Sequence, residues 1–233
     1  MSNVGYKASA EQSAPRGLLD FAVLATLNTM FSERRAIART ARAMKAQRLV
    51  AGTSGNVSAR HARGLLITPT RRGYDTLRAR DIALISLSGE RLGRGSLEPS
   101  IEWPTHAAIY NARPDVGAIV HTHSPWATAR SFNSDPLEVV TEERNYYSLD
   151  SVPVVPQQPS GSFDLARAVT SEALAADAML LAGHGVIAFA SSPVAALELC
   201  AVVEHLAQVD EILRRQPGAS GGETSSSTSS SAV

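Results

Sequence analysis

Three histidines in this sequence have neighbours and a spacing that suit a metal site. His121 and His123 stand one residue apart at the end of the apolar run VGAIVHTH, and the two-residue period of a strand puts both imidazoles on one face. His184 follows a second apolar run and is flanked by Gly183 and Gly185, which allow the backbone to crowd a site. Three protein ligands and one open position are typical of catalytic zinc. The pattern favours a metal centre, although the spacing alone also suits a cupin or a metal hydrolase.

A carboxylate in the segment EPSIEWPTH is a candidate for the acid or base of such a site. Glu102 comes just before a helix that starts at a proline, where its side chain can point into a cleft. Beside a metal, this carboxylate could remove a proton from a substrate while the ion stabilises the enolate or alkoxide that results. The alternative is a carboxylate that only interacts with the helix dipole.

The elements that would position these residues mix helices and strands. Helical patterns cover residues 18–30, 32–49, 104–111, 164–176 and 193–213. Strand patterns cover residues 64–70, 81–87, 116–123 and 178–190, the last as a strand pair or as one strand with a glycine turn. Residues 51–60 are predicted to form a glycine-punctuated turn. We therefore predict an α/β layered domain in which helices cover a sheet.

Length and composition indicate one globular domain with polar ends. The chain has 233 residues, of which 44% are hydrophobic, enough for one sizeable core. We predict a single domain over residues 18–216, a flexible N-terminus over residues 1–17 and a disordered Gly/Ser/Thr-rich tail over residues 217–233. Between these ends, the sequence contains neither a Gly/Ser linker nor an internal repeat.

Charge and cysteine content argue against several classes of protein. Lys plus Arg and Asp plus Glu both number 22, so no overall field attracts nucleic acid or an anionic membrane. The single cysteine, Cys200, supplies neither an intramolecular disulfide nor a thiolate cluster. The N-terminus lacks a signal-peptide pattern, and no apolar run reaches the roughly 18 residues that a membrane span needs. We expect a cytoplasmic protein that binds neither nucleic acid nor membrane.

Six motifs in one order resemble the class II aldolase and adducin family. They are GNVS (55–58), LITPT (66–70), PSIEWPTH (99–106), VGAIVHTHSPWATA (116–129), VPVVP (152–156) and LLAGHGVIA (180–188). The resemblance covers about residues 32–213. It implies a three-layer α/β fold with a central mixed, largely antiparallel sheet. It also implies a homo-oligomer, a cyclic tetramer, with active sites between neighbouring subunits.

The resemblance also assigns roles at the centre of the site. It makes His121, His123 and His184 the ligands of a divalent ion, zinc with manganese or cobalt as substitutes. Glu102 becomes the catalytic acid/base. Some relatives place a carboxylate from this position on the metal itself, so Glu102 is also a candidate switching ligand.

A pocket for the anionic group of a small substrate is implied as well. Four residues match the family's phosphate-binding positions: Gly55, Asn56, Thr70 and Ser100. Two others depart from the pattern, because Arg71 replaces a glycine and Ile101 replaces a serine. The guanidinium of Arg71 could receive a phosphate or a planar carboxylate. Alternatively, Arg71 lies on an exposed turn and binds nothing specific.

Three further residues are candidates for supporting roles. His106 lies on the helix after Glu102 and could orient Glu102 or a metal ligand through a hydrogen bond. A tyrosine of some sugar-phosphate aldolases falls near Glu142 in this sequence. Tyr146 could supply the hydroxyl from a nearby position, or it could pack at a subunit interface.

These residues and the resemblance together predict a metal-dependent carbon–carbon lyase acting on a small anionic substrate. The leading reaction is aldol cleavage of a hydroxy-ketone, with a sugar phosphate as the expected substrate, through a metal-stabilised enediolate. The alternative is decarboxylation of a hydroxylated aromatic or oxo carboxylic acid on the same metal site, which Arg71 favours. An epimerase, a dehydratase and a non-catalytic adducin-like scaffold stay open, although a scaffold has no use for three histidines and Glu102.

Overall fold

The computed structural model describes residues 16–92 and 97–216 of the chain. The predicted tail over residues 217–233 and most of the predicted flexible N-terminus therefore lie outside the described residues. The first element, α1, is one helix over Arg16–Ala46. It joins the two helical patterns that the sequence suggested before and after residue 31.

A seven-stranded sheet forms the centre of the molecule. The strands of the described residues are β1 (Asn56–His61), β2 (Gly64–Ile67), β3 (Ala83–Ile85), β4 (Ala118–Thr122), β5 (Leu137–Glu138), β6 (Ser151–Val152), β7 (Val154–Val155), β8 (Ala178–Leu181) and β9 (Gly185–Ala190). The large sheet has the order β3-β2-β1-β4-β9-β8-β7, and β5 pairs separately with β6. Neighbouring strands are antiparallel except β7 with β8. This confirms the predicted mixed, largely antiparallel sheet.

Helices cover both faces of this sheet. They are α1, α2 (Trp103–Ala112), α3 (Pro125–Arg130), α4 (Glu143–Tyr146), α5 (Phe163–Ala173) and α6 (Pro193–Arg214). One hydrophobic core lies between the sheet and helices α1 and α6, and a second lies between the sheet and helices α2 and α5. None of the helices in the described residues combines the length and apolar character needed to cross a bilayer.

The alternation along β4 decides which layer receives the site. Ala118 and Val120 point into the core beneath α1 and α6, whereas Ile119 points into the core beneath α2 and α5. His121 shares the parity of Ile119, so its side chain faces the layer that contains α2. That layer also carries Glu102, which immediately precedes α2.

The structure corrects the prediction for residues 56–60, which belong to strand β1 and not to a turn. Strand β1 pairs with β4 near the middle of the sheet and brings Asn56 opposite His121. Its inward-facing positions include the polar residues Asn56 and Ser58, both buried. A strand with polar groups on a buried face lacks the usual hydrophobic signature, because those groups serve a site and not a core.

Candidate metal centre and its surroundings

The imidazoles of His121, His123 and His184 converge at the end of the central strands, where β4 ends and β9 begins. Nε2 of His121 lies 2.9 Å from Nε2 of His123 and 3.3 Å from Nε2 of His184. All three candidate ligand atoms lie within 4.8 Å of one another. Tetrahedral bonds of about 2.0–2.1 Å place ligand nitrogens roughly 3.3 Å apart. These residues therefore form a group that fits one divalent ion.

The second ring nitrogen of His121 determines its tautomer. Nδ1 lies 2.7 Å from the carbonyl oxygen of Val186, so it carries the proton and donates a hydrogen bond. Nε2 is left with a lone pair directed at the other two rings. Burial lowers the pKa of His121, and the negative charge of Glu102 offsets only part of this effect. Burial also lowers the pKa of His123, to about 3. Both imidazoles are thus neutral near pH 7, the form that binds a metal.

The turn that carries His184 depends on Gly185. This residue has φ 151°, and a Cβ added to it would lie 2.1 Å from the carbonyl oxygen of Thr122. Only glycine lets the start of β9 approach the end of β4 so closely. The close approach brings the third histidine to His121 at the end of β4 and to His123 just after the strand.

Glu102 faces the histidines from the start of α2. Its Oε1 lies 3.1 Å from Nε2 of His184, and its Oε2 lies 3.3 Å from Nε2 of His121. Two donors hold the same carboxylate: Asn56 Nδ2 donates to Oε2 at 2.6 Å, and Ser160 Oγ donates to Oε1. The carboxylate therefore lies against the histidine cluster with a hydrogen bond on each oxygen.

The surroundings of Glu102 favour its ionised form. Burial raises the pKa of this carboxyl, but its interactions with His121, His184 and Ser160 together outweigh burial. The net pKa lies below its usual range. An ionised carboxylate at this place can accept a proton or bind a cation. Sequence reasoning did not find Ser160, because it lies 58 residues along the chain from Glu102 and no local pattern connects them.

The residues expected to bind the substrate's anionic group lie beside Glu102 or on adjoining segments. Asn56 begins β1, directly after Gly55, and contacts Glu102. Ser100 is buried, and its Oγ accepts a hydrogen bond from the backbone amide of Glu102 at 3.3 Å. The segment carrying Ser100 pairs with the one carrying Thr70, whose amide donates to the carbonyl of Glu98 at 3.0 Å.

Arg71 adopts a left-handed backbone conformation in the turn after Thr70, with φ 55°. Its side chain is exposed and makes no hydrogen bond or ion pair within residues 16–92 and 97–216. Such a conformation costs a non-glycine residue about 1–2 kcal/mol. The strain agrees with the family pattern, which has glycine at the position of Arg71.

His106 is fully buried, but its hydrogen bond does not go to Glu102 or to a candidate ligand. Nδ1 lies 2.7 Å from Ser58 Oγ, which lies 2.8 Å from the hydroxyl of Tyr110. Burial lowers the pKa of His106 to about 3, so the ring is neutral. His106 thus supports strand β1 behind the site instead of making the bond that the sequence suggested.

Glu142 and Tyr146 lie on the exposed segment around α4. Tyr146 is 82% exposed, and its ring packs edge-on against Tyr147 with centroids 5.0 Å apart. Glu142 accepts a hydrogen bond from Asn145 within the same segment. Across the described part of the chain, no hydrogen bond joins either residue to the histidine cluster.

Most of the chain matches one protein family. Residues 35–210 match the class II aldolase and adducin N-terminal domain, and the chain belongs to this family. It is 37% identical over 157 residues to a 5-methylthioribulose-1-phosphate/5-deoxyribulose-1-phosphate aldolase of Rhodospirillum rubrum, covering 67% of this chain and 70% of that protein. It is 37% identical over 158 residues to an L-fuculose phosphate aldolase of Escherichia coli K12, covering 68% and 73%.

Solved structures share the fold. An L-fuculose 1-phosphate aldolase superposes with a TM-score of 0.73 at 25% identity, over 78% of this chain and 86% of that one. YgbL of Klebsiella pneumoniae, a candidate aldolase, epimerase or decarboxylase, gives a TM-score of 0.73 at 28% identity, over 81% and 92%. The layered α/β fold described above is therefore that of the class II aldolases.

Proposed function

We propose that this protein is a metal-dependent lyase that cleaves a small phosphorylated hydroxy-ketone between two carbons. The observation that carries the proposal is the convergence of three histidine Nε2 atoms beside a carboxylate held by two donors. The relatives named as fuculose-phosphate and methylthioribulose-phosphate aldolases support a sugar phosphate as the substrate class.

In this proposal the chemistry is divided between a bound ion and the side chains. His121, His123 and His184 would hold the ion, which would supply positive charge to stabilise an oxygen anion of the substrate. Glu102 is the acid/base: its ionised carboxylate takes up a proton from the substrate and can return it to the released carbon. Asn56 keeps the carboxylate oriented through its 2.6 Å hydrogen bond.

We further propose that the substrate phosphate binds where β1, the turn after β2 and the segment before α2 meet. The residues assigned to it are Gly55, Asn56, Thr70 and Ser100. Arg71 stands at the outer edge of this group, with an exposed guanidinium. Two oxygens of a phosphate match the planar fork of an arginine, which gives Arg71 a role in holding the anion.

Decarboxylation of a hydroxylated aromatic or oxo carboxylic acid is the second candidate function. Arg71 favours it, because a guanidinium in place of a glycine also suits a planar carboxylate. Loss of carbon dioxide leaves an electron pair that the same ion can stabilise, and epimerisation and dehydration use related intermediates. One structural relative, YgbL, is itself a candidate for three of these activities.

The test is metal analysis of the purified protein followed by turnover assays on two panels of compounds. We expect one divalent ion per chain, with zinc, manganese and cobalt compared for activity. We expect cleavage of at least one sugar phosphate, such as L-fuculose 1-phosphate or 5-methylthioribulose 1-phosphate. Release of carbon dioxide from the carboxylic acid panel, with no sugar phosphate cleaved, would replace the aldolase by a decarboxylase.

The proposed assembly is a homotetramer in the cytoplasm, with sites between subunits. The exposed ring of Tyr146, packed edge-on against the half-buried Tyr147, supports it, because it offers an aromatic surface next to Glu142. In this arrangement Tyr146 or Glu142 meets the site of the adjacent subunit. That would give both residues a role that their local contacts do not supply.

A further inference from the structure

Ser160 contacts the proposed acid/base from a loop between the motifs VPVVP (152–156) and LLAGHGVIA (180–188). It lies between β7 and α5, and its Oγ donates a hydrogen bond to Oε1 of Glu102. The same oxygen lies 3.1 Å from Nε2 of His184. Oε1 therefore lies between a hydroxyl and a candidate metal ligand, as Oε2 does between Asn56 and His121.

The backbone just after Ser160 lies against the segment that carries Glu102. Gly161 has φ 74°, and a Cβ added to it would lie 2.7 Å from the carbonyl oxygen of Ile101, the residue before Glu102. Ser162 caps α5 by accepting the amide of Leu165 at 3.0 Å. Because Gly161 holds the loop against the backbone next to Glu102, the Ser160 hydroxyl is held on the carboxylate by its setting, whereas the Ser162 cap acts on α5.

The two oxygens of Glu102 are held by different parts of the fold. Asn56 on β1 holds Oε2, and Ser160 on the loop before α5 holds Oε1. A movement of the carboxylate toward a bound ion would change the geometry of these two hydrogen bonds. Asn56 is buried at the start of a central strand, whereas the Ser160 loop lies at the surface. Ser160 is thus the more easily released of the two restraints.

We propose that Ser160 is a positioning residue that keeps Glu102 oriented as an acid/base and limits its rotation onto the ion, an inference that rests on the proposed function. The hydroxyl acts through Glu102 and not on the substrate. Groups that orient the surroundings of a metal site typically change activity or affinity by about 10- to 100-fold when they are removed. The hydroxyl is the part of the side chain that matters, so threonine can replace serine.

The experiment compares three full-length variants loaded with Co²⁺: Ser160→Ala, Ser160→Thr and the control Ser162→Ala. The control removes the same hydroxyl two residues away, from a serine that caps α5 and does not contact Glu102. We expect Ser160→Ala to change the visible Co²⁺ spectrum, because the carboxylate reorients at the ion. We also expect its kcat to fall about tenfold with KM changed less than about twofold. Ser160→Thr should restore both, and Ser162→Ala should reduce thermal stability alone.

The spectral measurement needs no substrate, so it separates this inference from the proposed function. If the wild type cleaves no sugar phosphate, the proposed reaction fails while the Co²⁺ spectra still decide the role of Ser160. A wild-type spectrum in Ser160→Ala overturns the positioning role. The same spectral change in Ser162→Ala also overturns it, because the effect then belongs to the loop as a whole.

Discussion

In the proposed function, individual side chains at the site divide into those that would hold an ion and those that would move protons. The Nε2 atoms of the three clustered histidines point toward one another, and the tautomer of His121 is set by the carbonyl of Val186. Glu102 adds a carboxylate that donors hold on both oxygens. Substitution of one residue at a time can therefore separate metal binding from proton transfer.

Removal of one imidazole tests the metal assignment. We expect His123→Ala to lose most of the bound ion and of the activity with the fold intact, because two imidazoles leave the coordination incomplete. Elemental analysis and circular dichroism measure these two effects. His205→Ala, on the exposed side of α6, is the control and should keep both metal and activity. Full metal content and turnover in His123→Ala would contradict the assignment.

Neutralising the acid/base tests proton transfer. We expect Glu102→Gln to retain the ion while the rate falls by at least about a hundredfold, the usual scale for loss of a general acid or base. The amide has nearly the same shape but cannot accept the proton. Steady-state kinetics and metal analysis on the same sample check this. Loss of the ion from the variant would show that Glu102 is a ligand.

Arg71 combines a strained backbone with a charged side chain, and two substitutions separate these properties. Both Arg71→Ala and Arg71→Gly remove the guanidinium, so kcat/KM should fall about thirtyfold in each if it binds the substrate anion. Only glycine adopts the positive φ without strain. The free energy of unfolding of Arg71→Gly should therefore be about 1 kcal/mol higher than that of Arg71→Ala. Denaturant titration measures this difference. Unchanged kcat/KM in both variants would make Arg71 a surface residue.

At the scale of elements, the site lies where two antiparallel strands meet the start of a helix. Strand β4 ends with His121 and Thr122, β9 starts just after His184, and α2 starts just after Glu102. Each element therefore presents its functional residue at a terminus, where the side chain leaves the packed layer. The contact between β4 and β9 is the least adaptable part of this arrangement, because no side chain fits at Gly185.

A methyl group at Gly185 should damage the strand junction. The new Cβ would lie 2.1 Å from the carbonyl oxygen of Thr122, so Gly185→Ala forces β9 away from β4 and separates His184 from the other ligands. We expect a loss of at least about 2 kcal/mol in the free energy of unfolding and a loss of metal binding. Gly73→Ala is the control, since nothing lies within 4 Å of its added Cβ. Equal stability of the two variants would refute this account.

At the scale of the whole molecule, the fold leaves part of its surface suited to contact with a second chain. The aromatic pair of Tyr146 and Tyr147 lies on a segment that is largely exposed. In the sequence, this segment is separate from the motifs that carry the three histidines and Glu102. In the proposed assembly, this segment meets the site of a neighbouring subunit, and the number of assembled chains decides how complete each site is.

Assembly is tested by mass in solution. We expect light scattering to give four times the mass of one chain for the active protein. We also expect truncation after Gln216 to leave assembly and activity unchanged, because the Gly/Ser/Thr-rich tail has too little apolar surface to pack. Tyr146→Ala should weaken the tetramer or lower the rate. A monomeric mass for the fully active protein would rule out a site shared between subunits.

Local patterns in the sequence determined much of the site by themselves. The alternation in VGAIVHTH puts His121 and His123 on one face of a strand, and Pro104 starts the helix that follows Glu102. The glycines around His184 indicate a tight turn, and Gly185 indeed has no room for a side chain. Each of these features depends on residues within a few positions of one another, which is the range over which sequence periodicity carries information.

Only the tertiary structure decided which distant groups meet. Strand β1 escaped prediction because its buried face is polar, and the partner of His106 is Ser58 on that strand. The bond from Ser160 to Glu102 spans 58 residues. Such contacts depend on strand register and on where loops pass the ends of the strands. Neither leaves a local period in the sequence, because the free energy that selects these contacts comes from packing the whole chain and not from neighbouring residues.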